Sequence, residues 1–187
     1  MNASSWSISA ELTYVRLRGL IGYFVGSAKR YGIPLALLLA IASRESRMGL
    51  ALSADGTGDR GNGIGIMQID RRYHPEFTGR HSPFDHQANI NYATGYLAKL
   101  LQEFGGNTSQ AVAAYNGGPS RVRTAIYSGL SPDSVTTGGD YSRDVLQRKQ
   151  LIEQLLGLSK ATSLSLYVLP VAAIAFATYN YMSTQSP

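Results

Sequence analysis

The chain has 187 residues, 44% of them hydrophobic and 16% charged, the composition of a folded domain long enough to bury a core. It contains no cysteine, which excludes disulfide stapling and thiolate chemistry. The formal net charge of +5 favours an anionic partner such as a membrane face, a cell wall or a nucleic acid, but the arginines are scattered, and no nucleic-acid surface is expected.

Met1 to Glu11 has neither the basic nor the apolar run of a secretory signal, and no signal peptide is expected. Residues 8–29 predict one amphipathic helix, with Leu12, Val15, Leu17, Leu20, Ile21 and Phe24 on the apolar stripe. A second helix begins with Pro34 in its first turn and climbs through an unbroken apolar run, Leu35 to Ala42. That run has no polar face, so the helix should be buried on all sides. It delivers one acid, Glu45, near its C-terminal end, where burial and the negative end of the helix dipole both disfavour the charged form. A carboxylic acid still protonated near neutral pH suits general acid catalysis. An ion pair with Arg44, Arg47 or Arg60 is the structural alternative.

Glycine is dense from Met48 to Asp70, which excludes a helix and predicts turns with a short hairpin, Ile64, Ile66 and Ile69 forming a short buried strand. The segment carries Asp59 and Asp70. It lacks the Gly-Lys-Ser/Thr ending of a phosphate loop, and Asp55 and Asp59 lack the spacing of a calcium loop. Residues 71–82 read as a polar loop holding His74 and His81, with His86 just beyond; their spacing fits no helical ligand pair, and neither a metal nor a cofactor is expected.

Ser82-Pro83 predicts a helix to about Phe104, striped by Ile90, Ala93, Leu97, Leu100 and Leu101 and stopped by Gly105-Gly106. Short helices follow at 108–115, capped by Asn107 or Thr108, and at 120–127, then a loop at 128–139 and a last helix at 140–156. Some six helices with a small irregular β element make the class mostly α, of the α+β kind.

Four motifs stand in order along residues 28–156: Ser43-Arg44-Glu45-Ser46, Gly58-Asp59-Arg60-Gly61-Asn62-Gly63, Gly65-Ile66-Met67-Gln68-Ile69-Asp70 and Ala114-Tyr115-Asn116-Gly117-Gly118. Together they resemble the goose-type lysozymes and the related lytic transglycosylases, and Tyr141 at the start of a helix also fits that pattern. The resemblance implies a lysozyme-like domain over residues 1–158. It would cleave the β-1,4 bond between N-acetylmuramic acid and N-acetylglucosamine in bacterial peptidoglycan, with Glu45 as general acid. Asp59 and Asp70 fall where goose-type lysozymes are proposed to position and activate water. Lytic transglycosylases generally lack that pair and let the sugar's own 6-hydroxyl attack. An inverting hydrolase needs a second carboxylate, so the two aspartates favour hydrolysis over transglycosylation. Tyr115 and Asn116 are expected to hydrogen-bond the sugar and Glu45, Gln68 to shape the cleft floor, and Tyr141 to join the binding residues. The structural alternatives are a turn cap for Asp59, an ion pair with Arg71 or Arg72 for Asp70 and a core role for Tyr115.

No charge follows Lys160, and residues 164–182 are largely apolar, about the ~20 residues that cross a bilayer as a helix. Residues 159–187 are thus read as a tail with a hydrophobic helix that either spans a membrane or docks on a virion or other assembly protein. With no signal peptide, the expectation is a phage-encoded muramidase acting at the cell wall or periplasm, carried in the virion or released at lysis. Two rivals are a structural virion or secretion-apparatus protein that keeps a glycan-binding lysozyme fold, and a membrane-active protein whose tail makes the lesion. The intact Glu45, Asp59 and Asp70 argue against the first, and a single marginal segment without a basic flank against the second.

Overall fold

Gly19 divides the N-terminal amphipathic stretch in two. In the computed structural model, which describes residues 3–157, α1 spans Ala3–Leu17 and α2 spans Ile21–Tyr31, with Gly19 at φ +69° between them. The single helix expected over 8–29 is thereby corrected: the left-handed residue turns the chain, a conformation glycine adopts without penalty. Leu17, expected on the buried stripe, is 83% exposed at this corner, whereas Leu12, Val15, Leu20 and Phe24 are buried.

The apolar run becomes α3 (Leu35–Ser46). Pro34 sits just before the helix, not in its first turn, and its carbonyl accepts from Leu37 and Leu38. Ala36 through Ser43 are at most 2% exposed, so the helix is enclosed on all sides as its lack of a polar face requires. It ends in two left-handed residues, Arg47 and Met48, with the Met48 N–H bonded back to the Ala42 carbonyl at 2.9 Å.

The glycine-rich segment folds as a three-stranded antiparallel sheet, β1 (Thr57–Gly58), β2 (Gly63–Ile64) and β3 (Ile69–Asp70), with Gly58 opposite Gly63 and Ile64 opposite Ile69. The expected strand through Ile64, Ile66 and Ile69 is instead two strands, and buried Ile66 lies in the turn that joins them. Ser46 Oγ, at the end of α3, donates to the Ile66 carbonyl at 2.7 Å and ties that turn to the central helix.

A short α4 (Pro75–Thr78) interrupts the expected 71–82 loop. Helix α5 (His86–Glu103) starts later than Ser82-Pro83 because Asp85 caps it, accepting from the Ala88 N–H at 3.0 Å. Then come α6 (Thr108–Gly117), capped by Asn107, α7 (Pro119–Tyr127) and α8 (Tyr141–Leu155). The connection before α8 holds two 3-10 turns, Pro132–Val135 and Thr137–Gly139. Helix α8 packs along α3, α2 against α5, and α6 against α5, α7 and α8. Among the described residues no helix is long and apolar enough to cross a membrane. The hydrophobic tail helix expected within 159–187 lies outside the described residues.

Candidate active site

Glu45 stands in the last turn of α3, partly exposed, and the Tyr141 hydroxyl donates a hydrogen bond to its Oε1. Among the described residues Glu45 forms no ion pair, so pairing with Arg44, Arg47 or Arg60 is not what holds it. Burial pushes its carboxyl up to about 7, against the opposing pull of the Tyr141 hydrogen bond and the Arg44 charge. Tyr141, 2% exposed, is the first residue of α8. The start of that helix is fixed from outside: buried Asp133 accepts from the Ser142 N–H at 2.8 Å, the Ser142 hydroxyl at 2.9 Å and the Arg143 N–H at 3.2 Å.

Arg44 reaches the same helix end. It bonds Asp140 at 3.0 Å and Asp144 at 3.1 Å, and its guanidinium lies 5.7 Å from the centre of the Tyr141 ring. Asp144 also holds Arg148 at 2.6 Å, Arg148 donates to Ser43 Oγ at 2.9 Å, and Ser43 donates to the fully buried Glu11 at 2.5 Å. A polar chain thus runs from α1 through α3 to α8 and locks the helix that carries Tyr141 to the helix that carries Glu45.

On the sheet, Gln68 occupies space left by two glycines. A β-carbon at Gly58 would stand 2.2 Å from Gln68 Oε1, and one at Gly63 would stand 2.1 Å from it. The facing pair has no side chains, and the Gln68 amide fills the gap, its Nε2 donating to the Gly65 carbonyl at 2.8 Å. Gln68 itself has φ +49°. Asn89 of α5, 1% exposed, holds the turn from behind: its Nδ2 donates to the Ile64 carbonyl and its Oδ1 accepts from the Met67 N–H, both at 2.8 Å.

Asp59 and Asp70 meet at Arg72. Asp70 is engaged through both oxygens: Oδ1 accepts from the Arg72 N–H at 2.8 Å and Nε at 2.9 Å, and Oδ2 from Nε at 3.1 Å and Nη2 at 2.5 Å. Asp59 touches the same Nη2 through Oδ2 alone, at 3.3 Å. These bonds hold the Asp70 carboxyl below the usual carboxylate range, so it is ionised at neutral pH. The ion pair with Arg72, one of the two readings of Asp70 in the sequence, is therefore present. Asp59 and Arg60 are both left-handed, with φ +45° and +56°.

The bond to Glu45 that the sequence leads one to expect from Tyr115 is not made. The Tyr115 hydroxyl donates to the Met67 carbonyl at 2.9 Å, and the bond to Glu45 comes from Tyr141. Burial, then the nearby Glu45 charge, push its phenol well above the ordinary range. Asn116 turns its Oδ1 to the Thr137 N–H at 2.8 Å and holds the 3-10 turn before α8. Beyond Tyr115, at 5.7 Å between ring centres, stands Tyr96, which opens onto a cleft of about 570 Å³ lined by His74, Phe77, Tyr92, Tyr31 and Lys99. Tyr92 donates to Glu76 at 2.5 Å, leaving its oxygen to meet His74 Nδ1 at 2.9 Å. His81 pairs with Asp85 instead, and His86 opens α5, so the three histidines do not converge. Among the described residues no group of three histidines or acids is arranged to hold a metal ion.

Sequence reasoning missed Asn89, Asp133 and the aromatic row. Asn89 left one signal, a polar residue four positions before Ala93 on the apolar stripe of α5. Asp133 left none, because it caps a helix eight residues away.

The transglycosylase SLT domain matches residues 22–132. The chain is 36% identical over 135 residues to lysozyme g of Cyprinus carpio, a stretch that covers 67% of each protein. It is 37% identical over 128 residues to lysozyme g of Gallus gallus, covering 64% of this chain and 56% of that one. Among solved structures it is similar to the lytic transglycosylase Slt of Pseudomonas aeruginosa, solved as an inactive mutant. That match has a TM-score of 0.57 and 25% identity, and spans 74% of this chain and 24% of the other.

Proposed function

This chain belongs to the transglycosylase SLT domain family, and on that footing we propose that it cleaves the β-1,4 bond between N-acetylmuramic acid and N-acetylglucosamine in peptidoglycan, with Glu45 as general acid. The observation that carries the reading is the Glu45 carboxyl, held by Tyr141 and raised by burial to about 7. An acid of that strength keeps its proton near neutral pH and can give it to the leaving glycosidic oxygen. The cleft lined by Tyr31, Tyr92 and Tyr96 includes neither Glu45 nor the two aspartates, and its flat faces and hydrogen-bonding edges are of the kind that pyranose rings use.

Attack by water, with inversion, is the preferred course. It is supported by Asp59 and Asp70, which meet at one guanidinium in the segment after α3 and are the two candidates for the second carboxylate that inversion needs. A second reading, attack by the sugar's own 6-hydroxyl to give an anhydro product, is favoured by Arg72, which occupies both oxygens of Asp70. The place of action is the cell wall. We further propose delivery by a phage, supported by the uncharged apolar stretch 164–182, which offers a membrane or a virion protein something to hold.

The test is mass spectrometry of fragments released from purified peptidoglycan, with Glu45→Gln as control. Reducing-end muramic acid, absent with the variant, is expected; anhydromuramic acid would select the second reading, and release unaffected by E45Q would remove Glu45 from its role.

A further inference from the structure

The two aspartates are not equivalent, and Arg72 makes the difference. Asp70 gives both its oxygens to Arg72 in four hydrogen bonds, one of them to the backbone N–H. Its side chain is 24% exposed and that of Asp59 is 62% exposed. Asp59 offers Arg72 only Oδ2, at 3.3 Å, and among the described residues no bond to its Oδ1 is made. A carboxylate that takes a proton from water needs a free lone pair directed at that water. Asp59 keeps one oxygen without a protein partner among the described residues, and Asp70, with both oxygens on Arg72, keeps none.

We propose that Arg72 is a positioning residue for the hydrolytic reaction: anchored on Asp70, its guanidinium holds Asp59 as the carboxylate that activates water. The proposal rests on the hydrolase reading above. In the step it serves, Asp59 removes a proton from water as the water oxygen bonds to the anomeric carbon of the muramic acid. The bond from that carbon to the glycosidic oxygen breaks, and Glu45 passes its proton to the departing oxygen. Water's two parts end on the two new chain ends, and both carboxyls return to their starting state when the protons re-equilibrate with solvent. Asp70 touches none of the reacting atoms. Its contribution is the rigid fork it forms with Arg72, which a lysine would not reproduce. The left-handed backbone of Asp59, at φ +45°, belongs to the same arrangement: an uncommon conformation held where its carboxylate meets the cation.

The experiment uses the full chain and sodium azide, an anion that attacks without giving up a proton and so replaces both the water and its base. Asp59→Ala should lose about 10²–10⁴-fold of its hydrolytic rate, the usual contribution of a general base. Azide should restore turnover to it and yield a muramyl azide of inverted configuration. Asp70→Ala should not be rescued, because Asp59 remains and repels the anion. Arg72→Gln should lower kcat about 10²-fold with little change in KM, and Asp70→Asn combined with Arg72→Gln should be no worse than either alone, since the two act as one unit. Azide rescue of D70A, absence of rescue in D59A, or an Arg72→Gln rate within about threefold of the parent would each overturn the proposal. Exclusive formation of anhydro product by the parent would overturn it while leaving glycan cleavage intact. Absence of any released fragment would remove both readings.

Discussion

The hydroxyl of Tyr141 donates to Oε1 of Glu45 across 96 residues of sequence, from the first residue of α8 to the last turn of α3. Burial raises the Glu45 carboxyl to about 7, while the Tyr141 hydrogen bond and the Arg44 charge draw it down. The acid sits close to neutrality because these effects oppose one another, and each can be removed separately.

Tyr141→Phe removes a hydrogen bond that favours the charged form. The Glu45 pKa should then rise further, by about one unit, since a bond to a charged group contributes about 1.5 kcal/mol. A general acid is active while protonated, so the alkaline limb of the kcat/KM profile should move up by that amount. The maximal rate should fall about tenfold as the carboxyl loses its fixed orientation. A pH–rate series on soluble glycan fragments checks this; a lower maximum with an unmoved limb would make Tyr141 a packing residue only.

The same raised acid has a consequence for stability. Unfolded, Glu45 titrates near its ordinary value of 4.5; folded, it titrates near 7. Between these pH values the folded chain holds a proton that the unfolded chain has lost, so the Glu45 contribution to stability declines as pH rises from 4.5 to 7 and levels off above. The full effect is up to about 3 kcal/mol. Glu45→Gln, which never ionises, should match the parent at pH 4 and exceed it at pH 8 in urea-unfolding free energy. An equal gap between the two proteins at both pH values would refute the raised pKa.

What could be read from the sequence follows from how local each cause is. The burial of α3 is written in eight consecutive apolar or small residues, and the acid at its end follows from that run. The hairpin is written in glycine density. The break at Gly19 was hidden because the apolar spacing continues across it, and one left-handed residue is enough to turn the chain. The motif around Tyr115 suggests a bond to Glu45, but the partner of a phenol is fixed by packing between α6, the sheet and α8, which no motif encodes. The choice of Arg72 over Arg71 as the partner of Asp70 depends on the turn after β3, where the Arg72 N–H also bonds the carboxylate.

Gly58 and Gly63 leave a slot on the sheet that the Gln68 side chain fills. Gly63→Ala would put a β-carbon 2.1 Å from Gln68 Oε1, and the amide must then leave its bond to the Gly65 carbonyl. We expect a loss of about 1–2 kcal/mol and a reduced rate, because the β2–β3 turn that precedes Asp70 shifts. Adding Gln68→Ala empties the slot, so the double variant should be more stable than Gly63→Ala alone. Thermal unfolding of the two singles and the double measures that coupling, and additive losses would mean that Gln68 does not occupy the slot.

Asn89 answers the polar groups of the same turn from the core side. Its amide serves one donor and one acceptor, the Met67 N–H and the Ile64 carbonyl, in a place that water does not reach. Asn89→Ala leaves both unpaired and opens a void, and should reduce stability by about 2–4 kcal/mol. Asn89→Asp is the sharper probe. Ionised, aspartate still accepts from Met67 but cannot donate to Ile64, and its charge is buried; protonated, it can do both. Burial raises the pKa of such a carboxyl above its unfolded value, so the variant should lose stability as pH rises. Its deficit relative to the parent should be small at pH 4 and several-fold larger at pH 7 in urea unfolding. A deficit independent of pH would mean that Asn89 fills space without carrying the turn, and the support for Gln68 would then have to come from the glycine slot alone.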